Sequence, residues 1–125
     1  MLDVPTRTDN VAVLPVPHCA VEPMTHSGFA GLMVVDLHLP QARSLKDKRQ
    51  PLRSCLQRLR DAGYSASEVD HHDKWQRAQV AVSIVARGSG DVEHLLDQAL
   101  RVFESRPDLE VVVRQRTVLA IDEYE

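Results

Sequence analysis

The chain lacks several things that would have pointed to a specialised class of protein. It has two cysteines, Cys19 and Cys55, at no metal or redox spacing; a disulfide scaffold is unsupported, and the reducing cytoplasm is the expected compartment. No run of 18 apolar residues occurs, which excludes a membrane-spanning helix. The start carries Asp3 rather than a basic cluster and no apolar core follows, so a secretory signal is not expected. Only five of the 125 residues are aromatic, and neither sign of charge dominates, with 15 Lys and Arg against 18 Asp and Glu for a net −3. What is there is a chain 43% hydrophobic and 26% charged, which excludes a disordered polymer and suits one soluble domain that buries roughly two-thirds of its unfolded surface.

The composition is uneven. Pro5, Pro15, Pro17 and Pro23 fall in the first 23 residues, whereas every glycine and every aromatic lies at or after Gly28. Pro15 and Pro17 interrupt any helix around Val11, Val13, Leu14 and Val16, and remove donors a strand would need. Residues 1–27 therefore read as a flexible extension, with Met24 a candidate natural start. Residues 28–121 read as the domain and 122–125 as an acidic tail.

From Phe29 onward hydrophobic periodicity predicts six elements. Residues 29–39 form a strand whose apolar stretch from Leu32 to Val35 suits burial on both faces. Ser44 is a helix N-cap with Asp47 three residues on, a short-armed capping box. Leu45, Leu52, Cys55, Leu56, Leu59 and Ala62 then recur at helical spacing up to Gly63. Pro51 lies inside this pattern, where it costs roughly 3 kcal/mol; a single bent helix is expected, the alternative being a helix that starts at Pro51. Strands follow at 64–69 and 79–86, then a break at Gly88, Ser89 and Gly90. A second helix carries Val92, Leu95, Leu96, Ala99 and Phe103, with a last strand at 109–121. The order β-α-β-β-α-β predicts an α+β, ferredoxin-like sandwich, with two helices on one face of a four-stranded antiparallel sheet.

His38-Leu-Pro40, Ser44-Leu-Lys-Asp-Lys-Arg49, Glu68-Val-Asp70 and Trp75-Gln-Arg-Ala78 together resemble the bacterial domain-of-unknown-function family 503, the YlxP-like proteins. The resemblance covers residues 29–119 and implies the same ferredoxin-like fold. The family has no established activity. Its genes often neighbour those for translation initiation and ribosome maturation, which implies an association with RNA or the ribosome. Pro51 stands where an aliphatic residue is usual, and the extension before Phe29 is extra.

Charge supplies the leading functional expectation. Seven basic residues and one acid lie between Arg43 and Arg60, while nine acids and four bases lie from Asp91 to the end. The overall charge thus conceals a basic region. Arg43, Lys46, Lys48, Arg49 and Arg53 are the candidate contacts to RNA phosphates, with Arg60 extending the face of Lys46, Arg49 and Arg53. The strands carry no aromatic except Phe29 at an end, so any RNA binding is expected at the backbone or by shape. The expected function is a non-enzymatic, ribosome- or RNA-associated role in translation or ribosome maturation, with ribosomal RNA or a ribosomal subunit as partner. The alternative is an interaction module whose basic helix docks an acidic protein. A metal or catalytic site among Glu68, Asp70, His71, His72 and Asp73, with Asp36 and His38 nearby, ranks third. No HxH, HxxxH or HExxH spacing supports it, and neither metal nor cofactor is expected. The resemblance draws attention to Glu68, Asp70, Trp75 and Gln76, for which structural roles are expected: Trp75 anchoring the loop and Gln76 bonding the backbone. Both alternation sets of the strands are apolar, so the uncovered sheet face is expected to bind a second copy or a protein partner.

Overall fold

The computed structural model describes residues 26–122; the proposed extension before His26 and the last three residues of the acidic tail lie outside the described residues. The elements are β1 (His26–His38), α1 (Leu45–Asp61), β2 (Ser65–Asp70), β3 (Arg77–Ala86), α2 (Ser89–Glu104) and β4 (Glu110–Asp122). All strand pairs are antiparallel, in the order β2-β3-β1-β4. This is the α+β, ferredoxin-like arrangement. No helix among the described residues is long and apolar enough to cross a membrane.

Side-chain alternation along β1 decides which way the sheet faces. Met33, Val35 and Leu37 are buried beneath the helices with Val80 and Val82 of β3. Leu59 and Cys55 of α1 and Leu96, Ala99 and Phe103 of α2 close the same core. Leu32, Val34, Ala81 and Val85 occupy the opposite set and face away from it. The helices therefore use one of the two apolar sets and leave the other uncovered. Burial pushes the Cys55 thiol up from its ordinary value, so it stays protonated and packs as a small apolar group.

The α1 termini follow from local chemistry. Ser44 Oγ accepts from Asp47 N at 3.0 Å, and Asp47 Oδ2 accepts from Arg43 N at 2.9 Å. The short Asp side chain thus satisfies the amide one residue before the cap. At the other end Gly63, at φ +99°, reverses the chain. Its N–H donates to Arg60 O, and that of Tyr64 donates to Leu59 O, each at 3.0 Å, the paired bonds of a Schellman stop. The helix runs unbroken through Pro51, whose ring is buried, so the proline does not open a separate helix. Other boundaries differ from expectation as well: β3 begins at Arg77 rather than 79, and β2 and β4 are each displaced by one residue, which takes Asp122 of the expected tail into β4. α2 begins at Ser89 with Gly90 in its first turn, because Val92 N donates to Gly88 O and Asp91 complements the helix N-terminus. β1 begins at His26, where it pairs with Asp122 after a bulge.

Candidate nucleic-acid interface

Three segments converge at one end of the sheet. His38, the last residue of β1, pairs with Arg77 and with Glu110, the first residues of β3 and β4. The 39–44 connection, the 71–76 connection and the start of α1 are thereby neighbours.

On the solvent side of α1, Lys46, Arg49 and Arg53 are exposed, and Arg43 is exposed just before the cap. Among the described residues none of these four side chains makes an ion pair or hydrogen bond. The two arginines further along α1 are committed. Arg60 donates to Ala66 O at 2.7 and 3.1 Å, which folds it back toward β2 and shortens the expected stripe. Arg58 reaches Ser105 Oγ at 3.2 Å. On α2 the balance is reversed: Glu93 and Asp97 each hold Arg116 at 2.8 Å.

Lys48 is the correction to the basic set. Its side chain is 2% exposed, and Nζ lies 2.8 Å from Glu68 Oε2, 2.7 Å from His71 O and 3.0 Å from Arg77 O. Helical spacing places residue 48 on the same side as Leu52, Cys55 and Leu59, so the ammonium is directed under the β2–β3 connection rather than toward solvent. Glu68 Oε2 is buried without a hydrogen bond of good angle, which makes the contact with Lys48 one of charge with charge. Lys48 therefore locks α1 to both ends of the 71–76 connection and is withdrawn from any phosphate surface.

Gln76 completes the clamp. Its Nε2 donates to Pro40 O at 3.2 Å and Ala42 O at 3.1 Å, and its backbone carbonyl accepts from Leu39 N at 2.9 Å. Within the connection, Lys74 N donates to His71 O, and His71 takes a left-handed φ of +65° while its N–H donates to Asp70 Oδ1 at 2.7 Å. The expected backbone role of Gln76 is what the structure contains. Trp75 is different: at 54% exposure it does not anchor the connection from inside. Its neighbours Asp73, Lys74, Gln76 and Arg77 are all polar or charged, an aromatic with no periodic apolar companions, and that pattern was the available sign of exposure.

The proposed acid–histidine constellation does not assemble. Glu68 faces the helices, whereas Asp36 lies on the uncovered face, accepting from Gln79 Nε2 at 2.9 Å with Arg114 at 3.4 Å. His38 Nδ1 is taken by Glu110 at 2.9 Å. Among the described residues no three His, Cys, Asp or Glu side chains are grouped to hold a metal ion. A shallow groove of about 360 Å³ lies between α1 and the α2–β4 connection, edged by Gln41, Asp47, Gln50, Ser54, Arg106 and Asp108. Arg106 grips Asp108 through two 3.0 Å bonds and holds its carboxyl below the ordinary range. With Asp47 committed to the cap, the charged groups of this groove are spent on one another.

Residues 30–116, well over half of the chain, match the family described as "Protein of unknown function (DUF503)". The chain belongs to the DUF503 family. No curated protein matches this DUF503 chain. Among solved structures it is similar to the crystal structure of a hydantoinase/carbamoylase family amidase from Burkholderia ambifaria, at 12% identity and a TM-score of 0.42. The match covers 86% of the DUF503 chain but 34% of the amidase chain.

Proposed function

We propose that this protein is a non-enzymatic, cytoplasmic factor that binds the phosphate backbone of RNA through α1, in ribosome maturation or translation. The observation that carries this reading is that Arg43, Lys46, Arg49 and Arg53 stand exposed together around the start of α1 and, among the described residues, none of their side chains is paired, whereas Arg58, Arg60, Arg106 and Arg116 are each held by an acceptor. Cations held apart from carboxylates retain their full attraction for phosphate, and each contact releases a counterion. The reading predicts that affinity for an RNA hairpin falls by on the order of 100-fold between 50 and 200 mM salt, as about four phosphate contacts require. Arg49→Glu with Arg53→Glu should weaken binding to the hairpin and co-sedimentation with ribosomal subunits, and reduce the salt slope by about 2. Absence of association, or a double variant that binds like the parent, overturns the RNA role. Salt-dependent capture of an acidic protein from nuclease-treated lysate in its place marks the helix as a protein-docking face.

We further propose that the uncovered sheet face meets a second copy of the chain. Leu32, Val34, Ala81 and Val85 run along its middle, with Val85 65% and Val112 61% exposed. Along that face Asp36 is partnered with Arg114 and His38 with Glu110, and Arg77, opposite His38, is the exposed charge left at one end. The middle of the face offers no charge to select an oppositely charged protein, while the same apolar strip on a two-fold-related copy matches it. Light scattering after size exclusion at micromolar concentration should give a dimer, and Val85→Glu should shift it to monomer with the circular dichroism unchanged. A monomeric parent protein overturns the dimer.

A further inference from the structure

We propose that Trp75 is a stacking platform for an unpaired RNA base, set beside the phosphate-binding cations; this rests on the RNA-binding reading and names the form of RNA recognised. Among the described residues the uncovered sheet face carries no aromatic side chain, so its strands offer no stacking surface in the manner of an RNA-recognition sheet. The aromatic stands instead in the 71–76 connection, more than half exposed. This is not a loose loop tip. Lys48 holds the carbonyls of His71 and Arg77 on either side, and Gln76, the next residue, is bonded to Pro40 and Ala42. The backbone carrying the indole is thus fixed in advance, which lowers the ordering cost of using it for recognition.

Position supplies the second half of the argument. Gln76 bonds to the carbonyl of Ala42, so Trp75 and Arg43 each lie one residue from that bonded pair. Lys74 immediately precedes the indole and Arg77 follows two residues on, both exposed, and among the described residues neither side chain is paired. Lys46 lies two residues inside the helix whose cap follows Arg43. An aromatic surface bordered by unpaired cations is the combination that single-stranded nucleic acid requires: the cations follow the phosphates, while the ring takes a base with little regard to its identity. A partner that used the cations alone would gain nothing from the exposed indole.

Trp75 is the sole tryptophan of the chain, so its fluorescence reports on this site alone. Titration with a short single-stranded RNA oligonucleotide should quench the emission at saturation. Trp75→Ala should weaken binding of that oligonucleotide about tenfold or more, while Trp75→Phe retains most of the affinity. A fully paired RNA duplex should bind the parent and Trp75→Ala proteins alike. The outcomes separate this proposal from the reading beneath it. If single-stranded RNA binds, depends on Arg49 and Arg53, and is indifferent to Trp75→Ala, the stacking platform is wrong and the phosphate surface stands. If neither RNA binds the parent protein, both are wrong. If Trp75→Ala abolishes capture of a protein while RNA affinity is unchanged, the residue is a protein contact and the platform is again overturned.

Discussion

Lys48→Met should cost about 3–5 kcal/mol of stability, because the substitution leaves a buried carboxylate without its counter-charge. Lys48 is 2% exposed and Glu68 16%, so water reaches neither well enough to replace the partner. Two carbonyls lose a charged donor as well: that of Arg77, and that of His71, which is left with the Lys74 N–H alone. Lys46→Met, one turn-edge away on the exposed face, is the control and should change stability by no more than about 0.5 kcal/mol. Urea unfolding followed by circular dichroism measures both. Pairing Lys48→Met with Glu68→Leu should recover part of the loss, since an apolar pair of similar volume needs no counter-charge; it cannot recover the share belonging to the two carbonyls. A Lys48→Met protein as stable as the Lys46→Met control would mean that the ammonium is hydrated rather than clamped. Where the variant remains folded, amide exchange in the 71–76 connection should accelerate, because α1 no longer holds its ends.

The same residue marks where reading the sequence stopped being sufficient. The element order was legible because each element has one dominant periodicity, two residues for β1 and three to four for α1 and α2. So was the α1 cap, since Ser44 and Asp47 act on amides within four residues. Which of two apolar sets on β1 faces the helices was not legible: Leu32 and Val34 are as apolar as Met33 and Val35, and the choice is made by what α1 and α2 can cover. Charge ordinarily implies exposure, and that rule fails for Lys48. Its position follows the buried stripe of Leu52, Cys55 and Leu59, but only the presence of Glu68 from another element makes burial tolerable. Aromaticity ordinarily implies burial, and that fails for Trp75. In both cases the side chain's own character pointed one way and its long-range neighbours another. The basic face survives this correction in a reduced form: Arg43, Lys46, Arg49 and Arg53 remain, Lys48 goes inward and Arg60 turns to Ala66.

Gly31→Val should destabilise the protein by about 3 kcal/mol, and Gly31→Ala by about 1–2 kcal/mol. Gly31 lies on the helix-facing side of β1, directly under α2. A Cβ there would stand 2.4 Å from Val92 Cγ1 and 3.1 Å from Leu96 Cδ1, and Val92 and Leu96 are themselves fully buried. Val92 is β-branched and stiff at χ1, so it cannot turn aside; α2 must lift as a body. Lifting it strains Arg116, which reaches from β4 to Glu93 and Asp97 on α2. The contact therefore predicts a coupling that a mere loss of strand propensity would not produce. Val92→Ala removes the obstructing methyl groups at the expense of a cavity, and Gly31→Ala added to Val92→Ala should cost almost nothing further. Thermal unfolding of the four proteins in this cycle measures that coupling. Additive losses would show that α2 does not approach β1 this closely. On the proposed RNA-binding function, because α1 carries Arg49 and Arg53 and is held by Lys48 rather than by Gly31, the Gly31→Ala protein should bind RNA as the parent does below its melting temperature. Loss of stability without loss of binding would place the two functions of the fold on different helices: α2 closing the core over β1, and α1 presenting charge to the solvent.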